Sequence, residues 1–231
     1  MKVLTFNVQH FRNYLKKEID IDLFVKTIKE TNPDVVGLNE VFGEESNSFY
    51  GDQVKEIAEK LGYNYFFGKA ITISKGIYGN ALLSKFKIEN PEIITIPDPV
   101  IKDEDTYYES RIIIKAKIND IFIFVTHIGL AKQEKINAIN ILENNINKLN
   151  ESFIVMGDFN MTPNDILLKP ILKYASDTLA NDLGNTFPSI NPERRIDYIL
   201  VSKNINDFKA QIINKVVSDH LPIEAKIYVI E

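Results

Sequence analysis

The sequence predicts an α/β protein made of layered, mixed β-sheets. Apolar strand-like runs alternate with amphipathic helical stretches early in the chain, whereas strand-like runs dominate around residues 63–126 and again after 195. The second observation argues against a purely parallel sheet, and two sheets packed face to face with helices outside accommodate the count. No repeat, low-complexity tract or linker divides the chain, so a single domain over residues 1–231 is expected.

Taken in order, Lys2–Val8 is a short run of strand formers with Asn7 near its end. Ile21, Phe24, Val25 and Ile28 then follow helical spacing behind Asp20, a suitable N-cap, and Pro33 closes the helix. Val35–Leu38 is the next strand and stops at Asn39-Glu40. Val54, Ile57, Ala58 and Leu61 mark a second helix ended by Gly62. Tyr63–Phe67 and Gly79–Ser84 read as strands joined by a flexible connection over Ser74–Gly79, and Glu92–Ile96 reads as another. Pro97-Asp98-Pro99 with Lys102–Asp105 marks an exposed loop.

Arg111–Ile118 and Ile121–Thr126 form a hairpin across Asn119-Asp120, and the second strand ends on His127. Lys132–Leu149 carries Ile139, Leu142, Ile146 and Leu149 on one stripe, which predicts a long amphipathic helix. The run from Phe153 is a buried strand that ends in Gly157-Asp158-Phe159-Asn160. Thr162-Pro163 then reads as an N-cap and first helical position. Ile196–Ser202, Gln211–Val217 and Pro222–Ile230 complete the chain as strands.

Composition narrows the function classes. With 45% hydrophobic and 26% charged residues the chain looks globular, and no apolar run approaches the ~20 residues of a membrane helix. The opening strand leaves no room for a signal peptide, so a cytoplasmic location is expected, with secretion left open if a leader was trimmed. The absence of cysteine excludes disulfides, zinc thiolate sites and a cysteine nucleophile. A net charge of -5 and a pI near 5.4 argue against avid binding of a polyanion. A monomer is expected.

Strand-like runs stop on polar residues at Asn7, Glu40, His127, Asp158 with Asn160, and Asp219-His220. Ligand sites collect outside strand ends, so these endings point to one polar pocket assembled from the whole chain. Asp158 and Asn160, two apart in an extended chain, point to the same side and suit a divalent cation, a water and a phosphate oxygen. Gly157 leaves room for another group to approach the backbone. Asp197, between Ile196 and Tyr198 in a buried run, needs a partner, and a histidine is the natural one.

Thr5-Phe6-Asn7, Val36-Gly37-Leu38-Asn39-Glu40, Thr126-His127, Gly157-Asp158-Phe159-Asn160, Arg195-Ile196-Asp197-Tyr198 and Ser218-Asp219-His220-Leu221-Pro222 together resemble, in order and over nearly the full length, the motifs of the endonuclease/exonuclease/phosphatase (DNase I-like) superfamily. The resemblance implies a four-layer α/β/β/α sandwich and phosphoester hydrolysis with Mg²⁺ or Mn²⁺. It makes Glu40 the main metal carboxylate, with Asn7 and Asp219 as ligands or ligand-orienting groups. Asp158 would orient or deprotonate the attacking water, and Asn160 would donate to phosphoryl oxygens. His220 would pair with Asp197, and His127 would donate to a non-bridging oxygen or assist the leaving group.

Arg111 is expected to clamp substrate or to pair with Glu109, and Tyr108 and Asn80 are the other candidate substrate contacts. Asn39 stands where relatives commonly carry Gln. His10 is left open between pocket rim and exposed surface. Abasic-site nucleases of the family carry another pattern where this chain has Thr126-His127, which weakens a DNA-repair reading. Three functions follow: a hydrolase of small-molecule or lipid-derived phosphoesters, favoured by His127 and the acidic pI; a DNA or RNA nuclease, with Lys69, Lys75, Lys85 and Lys102 lining a groove; and a non-catalytic scaffold, disfavoured because every candidate position holds a competent residue.

Overall fold

The structure, a computed structural model, describes residues 1–43, 50–73, 76–102, 106–182 and 184–228. Lys75, residues 103–105 of the expected loop and residues 229–230 of the expected last strand lie outside the described residues.

Two mixed six-stranded sheets carry the molecule. The first contains β1 (Lys2–Asn7), β2 (Val35–Gly43), β3 (Asn64–Ile73), β4 (Gly76–Ser84), β11 (Asp207–Ile212) and β12 (Ile223–Tyr228), in the order β11-β12-β1-β2-β4-β3. The second contains β5 (Glu89–Thr95), β6 (Ile112–Ile118), β7 (Ile121–His127), β8 (Phe153–Asp158), β9 (Ala175–Asp177) and β10 (Asp197–Ser202), in the order β5-β6-β7-β8-β10-β9. Helices α1 (Ile21–Thr31) and α2 (Gln53–Leu61) cover the first sheet, and α3 (Lys132–Ile146) and α4 (Lys169–Leu172) cover the second.

Alternation along the strands builds these four layers. On β1, Val3 enters the core between the sheets while Leu4 and Phe6 face α1 and α2. On β8, Ile154 and Met156 enter the shared core while Phe153 and Val155 face α3. A strand buried on both faces reads as a continuous apolar run, which is why β7 and β8 stand out in the sequence. The expected sandwich is therefore the observed one.

Several boundaries differ from the sequence expectations. β2 runs on past Leu38 to Gly43, with a bulge at Glu40 whose φ is 62°. β3 and β4 extend toward each other, so strand replaces most of the expected flexible connection. The helix expected at Thr162-Pro163 starts later, because Asp165 caps the 3-10 turn Ile166–Leu168 that leads into α4. β11 starts four residues before the expected Gln211–Val217 run and overlaps it only at Gln211 and Ile212, and the three-residue β9 was too short to show periodicity.

Two parallel pairs position the site. β1 beside β2 sets Asn7 opposite Asn39, and β7 beside β8 sets His127 opposite Asp158. Antiparallel β10 starts where β8 ends, with Asp197 opposite Asp158. All these polar ends therefore reach one edge of the sandwich.

Candidate active site

Asp158 sits at the centre of that edge. It is buried, its Oδ2 accepts from Asn7 Nδ2 at 3.1 Å and its Oδ1 accepts from the Asn160 backbone N–H at 2.9 Å. Burial, helped by the Asp197 carboxylate and opposed by His220, raises its pKa to about 7. The Nε2 atoms of His127 and His220 each stand 3.6 Å from Asp158 Oδ2, beyond direct hydrogen-bond range.

The two imidazoles are held in different charge states. His220 Nδ1 meets Asp197 Oδ2 at 2.9 Å, so the buried Asp197 has the histidine partner it needs. Burial alone would lower the His220 pKa, but Asp197 and Asp158 together raise it to about 10. The Phe187 ring packs on this imidazole with centroids 4.7 Å apart. His127 instead faces Arg111 NH1 at 3.0 Å through Nδ1, and burial together with that guanidinium pushes its pKa well down.

A guanidinium only donates, so His127 Nδ1 accepts and its proton resides on Nε2. The 3.3 Å approach of Asn160 Nδ2 to that nitrogen is then not a hydrogen bond, and Asn160 Nδ2 donates to Ile128 O at 2.8 Å. One histidine is thus an anion-paired imidazolium and the other a neutral Nε2–H donor.

Glu40, from the bulge of β2, accepts from Asn7 Nδ2 at 3.0 Å and from the Tyr78 phenol. Asp219 Oδ2 accepts from Gln9 Nε2 at 2.9 Å; its pKa is raised by burial and by Glu40, against the lowering effect of His220. No lysine or arginine among the described residues pairs with either carboxylate. Two carboxylates that pair with no lysine or arginine, both oxygen donors, suit a hard divalent cation, and Asn7 orients Glu40 through Nδ2 while its own Oδ1 accepts from Gln9 N at 3.2 Å. Asp158, Asp197 and His220 also bring ligand atoms within 4.8 Å of one another, but the His220–Asp197 hydrogen bond already occupies one pair of these atoms.

These groups surround a cavity of about 370 Å³, lined by Glu40, Arg111, His127, Asp158, Asn160, Asp219 and His220 among others. Asn7 and Asp197 stand one hydrogen bond behind that lining. A larger hollow of about 1070 Å³ around Asp177 and Arg195 contains none of the candidate site residues.

Two expected contacts are corrected. Asn80 is buried between the sheets and accepts from Asn39 Nδ2 at 2.9 Å, so it supports the site without lining the cavity. Tyr108 lies outside the lining, and its neighbour Tyr107 takes the place, donating its phenol to Glu109 Oε2 at 3.0 Å. Arg111 pairs with Glu109 at 3.0 Å and also lines the cavity, with its buried Nε unpartnered.

Sequence reasoning missed Gln9, Tyr78, Phe187 and Arg194, which reach the site from turns and from the extended part of β4. Only Gln9 gave a signal, as one of a pair of polar residues just after β1. No lysine lines the cavity among the described residues: Lys85 is tied to Asp34, and Lys102 lies over Tyr108.

The sequence model of the Endonuclease/Exonuclease/phosphatase family matches residues 4–220. The chain belongs to that family. This is a family of phosphoesterases and nucleases, and its members share the sandwich described above. Across 244 aligned residues the chain is 23% identical to the uncharacterized protein YbhP of Escherichia coli strain K12, covering 98% of this chain and 96% of that protein. The mannosyl-6-phosphatase Bt3783 of Bacteroides thetaiotaomicron superposes with a TM-score of 0.76 at 18% identity, covering 99% of this chain and 100% of that one. An AP endonuclease of Archaeoglobus fulgidus superposes with a TM-score of 0.72 at 23% identity, covering 99% and 100%. At these identities the likeness is one of fold.

Proposed function

We propose that this family member is a divalent-metal-dependent phosphohydrolase that cleaves a small-molecule or lipid-derived phosphoester by in-line attack of water. The observation that carries the reading is the placement of Asp158, with its pKa raised to about 7, beside one charged and one neutral imidazole in a cavity that also holds Glu40 and Asp219. A carboxylate poised near neutrality is suited to take a proton from water, whereas an ordinary aspartate is too weak a base.

Glu40 and Asp219 would hold the Mg²⁺ or Mn²⁺, with Asn7 orienting the Glu40 carboxylate through Nδ2. When bound, the ion supplies positive charge to the phosphoryl oxygens. Asp158 Oδ2 orients the attacking water and accepts its proton. The His220 imidazolium, kept charged and oriented by Asp197, donates through Nε2–H to the phosphoryl group, and the neutral Nε2–H of His127 donates to a second oxygen or to the leaving group. Asn160 Nδ2 has one hydrogen left beyond its bond to Ile128 O.

Bt3783, one structural neighbour, is a mannosyl-6-phosphatase, which agrees with a small phosphoester as substrate, and a cavity of about 370 Å³ whose basic side chains among the described residues are Arg111, Arg194 and the two histidines agrees with a headgroup-sized group. Hydrolysis of bis(p-nitrophenyl) phosphate tests the reading. Turnover with Mg²⁺ or Mn²⁺ is expected, lost in EDTA and reduced by about 10²–10⁴-fold in His220→Ala. Turnover indifferent to both changes overturns it.

A further inference from the structure

Next to the catalytic cavity, and sharing Tyr78, Tyr107 and Glu109 with it, lies a second hollow of about 180 Å³. Its walls are mostly rings, from His10, Phe42, Tyr50, Tyr78 and Tyr107. Four of these rings pack as a continuous set: Phe42 lies 4.8 Å from Tyr50 and 5.0 Å from Tyr78 between centroids, and His10 lies 5.4 Å from Tyr50. Ile71 and Ile73, from β3, add an aliphatic edge.

The phenols of Tyr78 and Tyr107 and the charge of Glu109, the polar groups shared with the adjoining cavity, are turned to one another or to that cavity. Tyr78 is on Glu40, Tyr107 is on Glu109, and Glu109 is on Arg111 at 3.0 Å. A polyhydroxylated ring needs hydrogen-bond partners, whereas a flat apolar ring needs faces and edges to stack on. The paired charge of Glu109 likewise offers little to a cationic group.

The hollow is also held in shape at some cost. Gln9, His10 and Phe11 follow one another in the left-handed region, with φ of 43°, 49° and 61°, which non-glycine residues rarely adopt. The fully buried Gln53 clamps this turn, donating to His10 O at 2.8 Å and accepting from Phe42 N at 3.1 Å. The same turn delivers Gln9 to Asp219, so one strained element fixes both the ring-lined hollow and a carboxylate of the adjoining cavity.

We propose that this hollow is a subsite for an aryl or heteroaryl ring carried by the phosphoester, seated while the phosphoryl group occupies the adjoining cavity. The assignment of the ring's cargo rests on the phosphohydrolase reading; the ring preference stands on the hollow itself. The test is calorimetric titration of the intact protein with phenylphosphonate and with methylphosphonate, neither of which has an ester to cleave. Phenylphosphonate is expected to bind about tenfold more tightly, as burial of one ring implies.

The preference is expected to vanish in the double variant His10→Asn with Ile73→Ser. Asparagine tolerates the left-handed backbone at residue 10, so the turn is kept while the wall is lost. As an independent probe, Ile73→Trp places the sole tryptophan of the chain at the hollow, and its emission is expected to change with phenylphosphonate and not with methylphosphonate. Equal affinities, no binding of either ligand, a preference that survives the double variant, or tighter binding of free choline overturns the proposal. Ring preference without ester hydrolysis would remove the catalytic reading and leave the subsite, and hydrolysis without ring preference would do the reverse.

Discussion

At Asp158, burial and the Asp197 charge favour the protonated carboxyl, and at His220 the two carboxylates favour the imidazolium. Both folded-state pKa values lie above the ordinary ones, so both groups bind protons more tightly in the folded state. Their stabilisation is full below the unfolded pKa and is lost as pH rises through the folded one. The His220 contribution should therefore fade from about pH 6.5 to about pH 10, and the Asp158 contribution from 3.8 through about 7. Thermal unfolding in EDTA is expected to show a midpoint that falls over pH 6.5–10 in the intact protein. In Asp197→Asn this fall should flatten, because His220 loses the neighbour that raises its pKa. An unchanged slope in the variant would contradict the pairing as the source of the shift.

Among the elements, the turn after β1 carries three consecutive left-handed residues, and one buried side chain ties it to β2. Gln53, the first residue of α2, bonds His10 O and Phe42 N at once. Gln53→Ala is expected to cost about 2–4 kcal/mol, since it leaves two backbone groups without partners; denaturant unfolding measures this. β8 shows the complementary device, where space is removed. Gly157 has φ of 141°, and a Cβ there would overlap the Thr126 carbonyl of the neighbouring parallel strand. The approach anticipated from the glycine is thus made by backbone, and it brings His127 and Asp158 level.

The whole molecule brings the two sheets together at the site through Asn39. Its Oδ1 accepts from Asp158 N at 3.0 Å, and its Nδ2 donates to Thr126 O and Asn80 Oδ1, each at 2.9 Å. Asn39→Leu, close in volume, strands these groups between the sheets. A loss of about 2–4 kcal/mol is expected, together with a fall in kcat larger than any rise in KM, as Asp158 loses its backbone anchor. Cation binding is the other property of the assembled molecule. Mg²⁺ at millimolar concentration should raise the unfolding midpoint of the intact protein, by mass action on the folded state alone. The rise should disappear in Glu40→Gln, and a rise that persists would remove Glu40 from the ion's ligands.

Much of this was legible from the sequence because burial and chemistry leave marks on composition. Continuous apolar runs marked β7 and β8, capping residues marked α1 and α2, and polar residues at the ends of apolar runs marked Asn7, His127 and Asp158. Where periodicity was weak or interrupted, the reading failed. The bulge carries β2 on past Glu40, and the choice between Tyr107 and Tyr108 turns on which side of one extended segment faces the cavity. Asn80 faces the other sheet, a contact that no local pattern records. The sequence by itself determined the layered α/β class and which polar residues end the strands, because alternation and burial are written locally. Only the tertiary structure decided which histidine is charged, which residues line the cavity and that a ring-lined hollow adjoins it. Those outcomes depend on distances between segments as far apart as residues 10, 53, 107 and 220.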